Sequence, residues 1–188
     1  MIKKDFFPNK AAFVTLIAAC LVVIISLGIR QTFGLFFFDF EVDLGRTQTD
    51  FGFAMGIQLL FWGLLGPVFG IITDKYGGKI AVFTGFLFYI AGVYFLNYGP
   101  NTGSWFTFDI GILIGIGLGA TAISIPVSIV AKHFPLNTRT IATGIVTSAG
   151  SFGYFVSPMY TRYTLIEYGW NTTLVIFLFM LVAGLLVS

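Results

Sequence analysis

Three side chains, Arg30, Gln58 and Asp109, stand out as strongly polar groups inside long apolar stretches. Arg30 closes a long apolar run, yet Phe33 to Phe38 continue apolar beyond it. Its guanidinium is a planar fork of donors that fits a carboxylate bidentately. A charge at the centre of a membrane span costs about 2.5–3.5 kcal/mol on insertion scales, and less near the interface, where Arg can snorkel. Arg30 is therefore either a snorkelling interfacial residue or an anion site facing a cavity. It shares a helical stripe with Thr15, Ala19, Ser26 and Gly34, and this small, polar face favours the anion site. Gln58, one turn before Trp62, is an amide in an apolar stretch and needs a partner, either across a helix contact or in a cavity. Asp109 is either a helix-start acid, held by the N-terminal dipole, or a proton-coupling acid or partner for Arg30.

Other chemistry is sparse. Thr121, Ser124 and Ser128 share one helical face, with glycines at 111, 115, 117 and 119 before them. Taken singly, the hydroxyls read as caps on local carbonyls and the glycines as helix contacts. Those glycines follow no strand, so they are no nucleotide fingerprint. Cys20 lies in an apolar run and reads as a small packing residue. His133 reads as a solvated loop residue, and one histidine without cysteine company makes no metal site. No nucleophile–base pair is visible, and nothing calls for a cofactor.

The elements that must position these residues are membrane helices. Hydrophobic residues make up 57% of the 188, charged residues only 10%, and mean hydropathy is +0.94. Soluble domains carry about 25% charged residues, so composition excludes a soluble enzyme. The net charge of +2 is too small to suggest nucleic-acid binding. Six continuous apolar segments can be counted, and about 20 such residues span a bilayer as a helix. The expected architecture is all-α, an integral membrane domain over residues 1–188 with six transmembrane helices near 11–38, 51–73, 79–98, 106–132, 139–161 and 170–188. The first is no cleaved signal, because nine apolar residues follow Cys20. Pro126 and Pro158 are expected to kink the fourth and fifth helices. Trp105 and Trp170 fall at helix starts and read as interfacial anchors.

Loop charge sets the orientation. Lys3, Lys4, Lys10, Lys75, Lys79, Lys132 and Arg139 fall on one side, and only Arg46 and Arg162 on the other. The lysine-rich side is therefore expected to be cytoplasmic, with both termini there, in a multi-pass protein of the cell membrane.

The second and third segments are joined by Gly66-Pro-Val-Phe-Gly70-Ile-Ile-Thr-Asp74-Lys75-Tyr-Gly77-Gly78-Lys79. Gly66 and Gly70 lie one turn apart, a spacing that lets a neighbouring helix come close. Gly77-Gly78 supply a tight turn. This loop resembles the signature loop of the major facilitator superfamily, which sits between the second and third helices; the mild departure is Lys75, where arginine is more usual. Gly28 to Gly34 with Ile57-Gln58 and Trp62-Gly63, and Phe134 to Gly144 with Arg139, look like bacterial relatives of monocarboxylate and oxalate/formate carriers.

The resemblance implies the N-terminal half of a twelve-helix fold, built from two inverted three-helix repeats. The second half is absent here, and we expect the chain to be part of a longer carrier. It further implies that the first helix borders a central cavity. The acid matched by Asp74 would close a cytoplasmic gate against the other half. The expected function is secondary active transport of a small organic anion, a mono- or dicarboxylate, by alternating access. A proton or counter-anion would be the coupling partner, and Arg30 and Gln58 the binding residues. A carrier exporting hydrophobic compounds is an alternative, opposed by the positive charge of Arg30. A six-helix half acting as a homodimeric channel or scaffold is another.

Overall fold

The computed structural model describes residues 7–100 and 102–188; Lys3 and Lys4 of the charge count lie outside them. Every element among the described residues is helical. The first rod is α1 (Lys10–Thr32), capped by the Asn9 side chain accepting from Ala12 N at 2.8 Å. It passes through a 3-10 turn at Phe33–Phe36 into α2 (Phe37–Leu44), which ends on Gly45. A capping box opens α3 (Gln48–Tyr76): Thr47 Oγ1 accepts from Asp50 N at 3.2 Å, and Asp50 Oδ2 accepts from Thr47 N at 3.0 Å. Next come α4 (Gly78–Tyr98), the short α5 (Gly103–Phe106), a π-helical stretch at Thr107–Leu113, α6 (Ile114–Thr121) and α7 (Ser124–His133). The last element, α8 (Leu136–Val187), is 52 residues long.

Among the described residues, five stretches are thus long and apolar enough to cross a membrane. The last of them is two arms. Gly169 sits at φ 76°, ψ 172°, a backbone region essentially confined to glycine. Tyr160 and Phe177 would lie about 25 Å apart along a straight helix, yet their ring centroids are 6.5 Å apart. The chain therefore folds back at Gly169, and the sixth apolar segment is the second arm.

Glycines set how closely the rods approach. A Cβ on Gly153 would stand 2.7 Å from Ile24 O, and one on Gly28 would collide with Ser157 Oγ, so α1 and α8 are in backbone contact. Gly117 meets Gly85 O and Tyr89 on α4, while Gly111, Gly115 and Gly119 face α3. The four glycines of the fourth segment therefore pack on two neighbours at once. Two cores result. One runs from Phe36 and Phe40 through Phe86, Tyr89 and Ile114 to Phe177. The other gathers Leu16, Val23, Leu27, Val130 and Val146.

The local expectations fare differently. Trp170 is not an interfacial anchor: it is 8% exposed, its Nε1 donates to Asp43 Oδ2 at 2.6 Å, and its ring stands 5.6 Å from that of Phe40. Trp105 is 40% exposed. Pro158 leaves the first arm of α8 helical, as Pro67, not singled out above, does within α3. Pro126 does break its rod, four residues upstream at Ala122 (ψ −147°), the residue whose carbonyl a proline ring would strike. Gly66 and Gly70 face no neighbour among the described residues; a Cβ at either meets nothing within 4 Å.

Candidate functional site

Arg30 stands closer to the middle of its rod than its place in the sequence suggests. The first rod runs on to Leu44, so Arg30 lies three residues past the centre of Lys10–Leu44, about 5 Å of rise. Trp62 is the central residue of α3. The two meet there, with Arg30 Cζ over the Trp62 ring at 5.4 Å from its centroid, inside the range of a cation–π contact. Arg30 is partly exposed, but its Nε is buried without a hydrogen-bond partner. Its nitrogens make no hydrogen bond to another described residue, so the guanidinium is free to take an anion.

One turn below Arg30, Ser26 ties three rods together. Its Oγ lies 2.8 Å from both Val22 O and Thr121 O, so its single proton is shared between them. Its backbone carbonyl accepts from the Tyr89 hydroxyl at 3.1 Å. Thr121 O is one of the last carbonyls of α6, which lack helical partners because the rod breaks at Ala122. Ser26 thus satisfies on α1 a group exposed by the Pro126 break, in the manner of broken membrane helices. Tyr89 is fully buried and lies near Arg30 and Tyr154. It was not singled out in the sequence because it sits among apolar and aromatic residues with no local polar companion. Thr121 Oγ1 donates to Gly117 O at 2.9 Å, the local cap expected of it. Ser124 is exposed beside the break and Ser128 half-buried.

Gln58 is fully buried and turned toward the fourth rod: its Nε2 donates to Ile110 O at 3.0 Å, in the π-helical stretch, while its Oε1 has no partner. Asp109 does not meet Arg30. It is 2% exposed, with Oδ1 unpartnered among the described residues, and it lines a cavity of about 10 Å³ together with Arg46, Thr102 and Phe106. That is the threshold for holding one water molecule. The polar residues therefore form two groups: Arg30 with Trp62 and Ser26 near the middle of their rods, and Asp109 toward the Arg46 end.

At the opposite end, Asp74 Oδ1 and Lys132 Nζ form an ion pair at 2.7 Å, joining α3 to the end of α7. The side chains are 72% and 51% exposed, so the pair contributes at most about 1 kcal/mol. Lys75 and Lys79 are exposed. Gly77 carries the turn at φ 95°, and Gly78 lies directly under Ile129, which a Cβ would strike. A groove of about 400 Å³ opens near this end, lined by Ala18, Val22, Lys79, Ile129 and His133 among others; Arg30 does not line it. No group of three metal-ligating side chains occurs among the described residues.

The family model described as "Major Facilitator Superfamily" matches residues 12–188. "Monocarboxylate transporter 6" of Homo sapiens is 21% identical over 166 residues, 88% of this chain and 32% of that protein. "Monocarboxylate transporter 14" of Mus musculus is 25% identical over 170 residues, again 88% of this chain and 32% of the relative. "Probable nitrate transporter NarT" of Staphylococcus aureus (strain JH9) is 26% identical over 131 residues, 70% of this chain and 32% of the relative. The chain spans about a third of the length of the curated relatives it matches.

Proposed function

The chain belongs to the Major Facilitator Superfamily, and on that footing we propose that it forms part of a secondary active carrier for a small organic anion, a mono- or dicarboxylate. The observation that carries this reading is Arg30: a permanent cation near mid-membrane, seated on Trp62 and without an acceptor of its own. A guanidinium held in low dielectric seeks an anion, and a carboxylate matches its fork. The printed names of the similar proteins, monocarboxylate and nitrate transporters, fit an anionic cargo. Such a carrier does no covalent chemistry. It needs a site near the membrane centre and two states that expose it in turn.

In this reading α1 and the broken fourth rod border the cavity. The open glycine face of α3 (Gly52, Gly56, Gly66 and Gly70, none with a neighbour within 4 Å) receives the remainder of the carrier. The length of the relatives supports a second half of that kind. Asp74 biases the gate through its pair with Lys132, and Asp109 takes part in coupling to a proton. The excess of lysine at the Lys75 end supports a cytoplasmic location for that end and for both termini in the cell membrane. The test is uptake by the protein as its complete gene encodes it. Arg30→Lys at matched membrane level should abolish most carboxylate uptake; near-normal uptake would remove Arg30 from the site.

A further inference from the structure

We propose that Trp62 is a positioning residue that makes the Arg30 site select planar oxyanions over tetrahedral ones. This rests on Arg30 being the anion site. Two observations carry it. The guanidinium carbon lies over the Trp62 ring, 5.4 Å from its centroid. The Nε edge of Arg30 is buried, which leaves the two Nη groups as the edge an anion can reach.

An anion bound bidentately to that edge lies in the plane of the guanidinium. Arginine commonly stacks flat on aromatic faces, and in that arrangement above Trp62 the same plane passes across the indole face. A carboxylate or nitrate keeps its oxygens in that plane. A sulfate or phosphonate using two oxygens at the same edge must send another out of it, toward the ring. The face of an aromatic ring is its negative side, so it repels such an oxygen. The stack also fixes the rotamer of a long side chain, so less freedom is lost when the anion binds. Trp62 need not touch the cargo to do this. Leucine at this position would fill part of the space but would supply neither the flat platform nor the quadrupole; tyrosine or phenylalanine would keep both in smaller form.

The experiment measures anion-dependent thermal stabilisation of the purified protein encoded by the complete gene, because a ligand that binds only the folded state raises its melting temperature. The probes are formate, lactate and nitrate against sulfate and methylphosphonate, at equal ionic strength. In the wild type, the planar anions should stabilise at concentrations at least tenfold lower than the tetrahedral ones. Trp62→Leu should bring that preference to within about twofold, and Trp62→Phe should restore most of it, a rescue that a merely structural role would not give. Wild-type preference retained in Trp62→Leu would overturn the proposal, as would equal loss in Trp62→Leu and Trp62→Phe. If the wild type responds to none of the probes, or if Arg30→Gln leaves the responses unchanged, the anion site itself is wrong, and the role of Trp62 falls with it.

Discussion

Replacing Ser26 by alanine should loosen the junction between α1 and the broken fourth rod, and the size of the effect can be worked from the contacts. Ser26 and Thr121 are both fully buried, and the Ser26 hydroxyl reaches Thr121 O at 2.8 Å. Interhelical hydrogen bonds in membranes average about 0.6 kcal/mol, with a maximum near 1.7. Removing the donor also strands a buried carbonyl at a helix end, which costs about 1–3 kcal/mol when no other partner takes over. A loss of about 1–2 kcal/mol follows, because both figures describe the same contact and do not add. In a unit of this size that corresponds to a melting temperature lower by about 2–8 °C. Differential scanning fluorimetry in detergent reads it directly. Ser151→Ala, exposed on α8, is the control and should stay within about 0.5 kcal/mol. A Ser26→Ala melting temperature within 1 °C of wild type would refute the claim that this hydroxyl carries the Pro126 break.

Three other outcomes are expected. Gly169→Ala forces an L-residue into φ 76°, ψ 172° and should destabilise the fold by about 1–3 kcal/mol, read as a lower melting temperature, although a Cβ there meets no atom within 4 Å. Asp74→Asn should cost less than about 1 kcal/mol of stability, because its pair with Lys132 is exposed; it should nevertheless slow transport, and a double-label distance measurement should register altered gate populations. Asp109→Asn should remove the pH dependence of transport while leaving counterflow exchange intact; an unchanged pH profile would take Asp109 out of the coupling mechanism.

Much of this architecture is legible in the sequence because a bilayer permits few solutions. Long uncharged runs can only be spanning helices, and the Gly77-Gly78 turn is forced by its residues: Gly77 adopts φ 95°, and Gly78 leaves no room for a Cβ under Ile129. The site was legible only in part. Arg30 announces itself as a charge among apolar residues, but its depth depends on how far the first rod continues, and the 3-10 turn at Phe33–Phe36 carries that rod on to Leu44. Tyr89 and the carbonyl of Thr121 leave no local signature, since their roles arise from partners 63 and 95 residues away. Trp170 misleads for the same reason: an aromatic at a helix start fits an interfacial belt until Asp43, 127 residues away, accepts its N–H. Asp109 and Arg30 look like partners on a linear map, yet the π-helical stretch and the loop after α2 bring Asp109 to a cavity shared with Arg46.

In the proposed carrier the Arg30 guanidinium, seated on Trp62, binds the transported anion. The most direct measurement is uptake of radiolabelled lactate and formate into proteoliposomes containing the protein encoded by the complete gene, wild type against Arg30→Lys, at equal reconstituted amounts. The lysine keeps the charge and removes the fork, so uptake of both anions should fall at least tenfold while melting temperature and membrane insertion stay near wild type. Uptake within twofold of wild type, with the same apparent affinity, would show that Arg30 does not bind the transported anion.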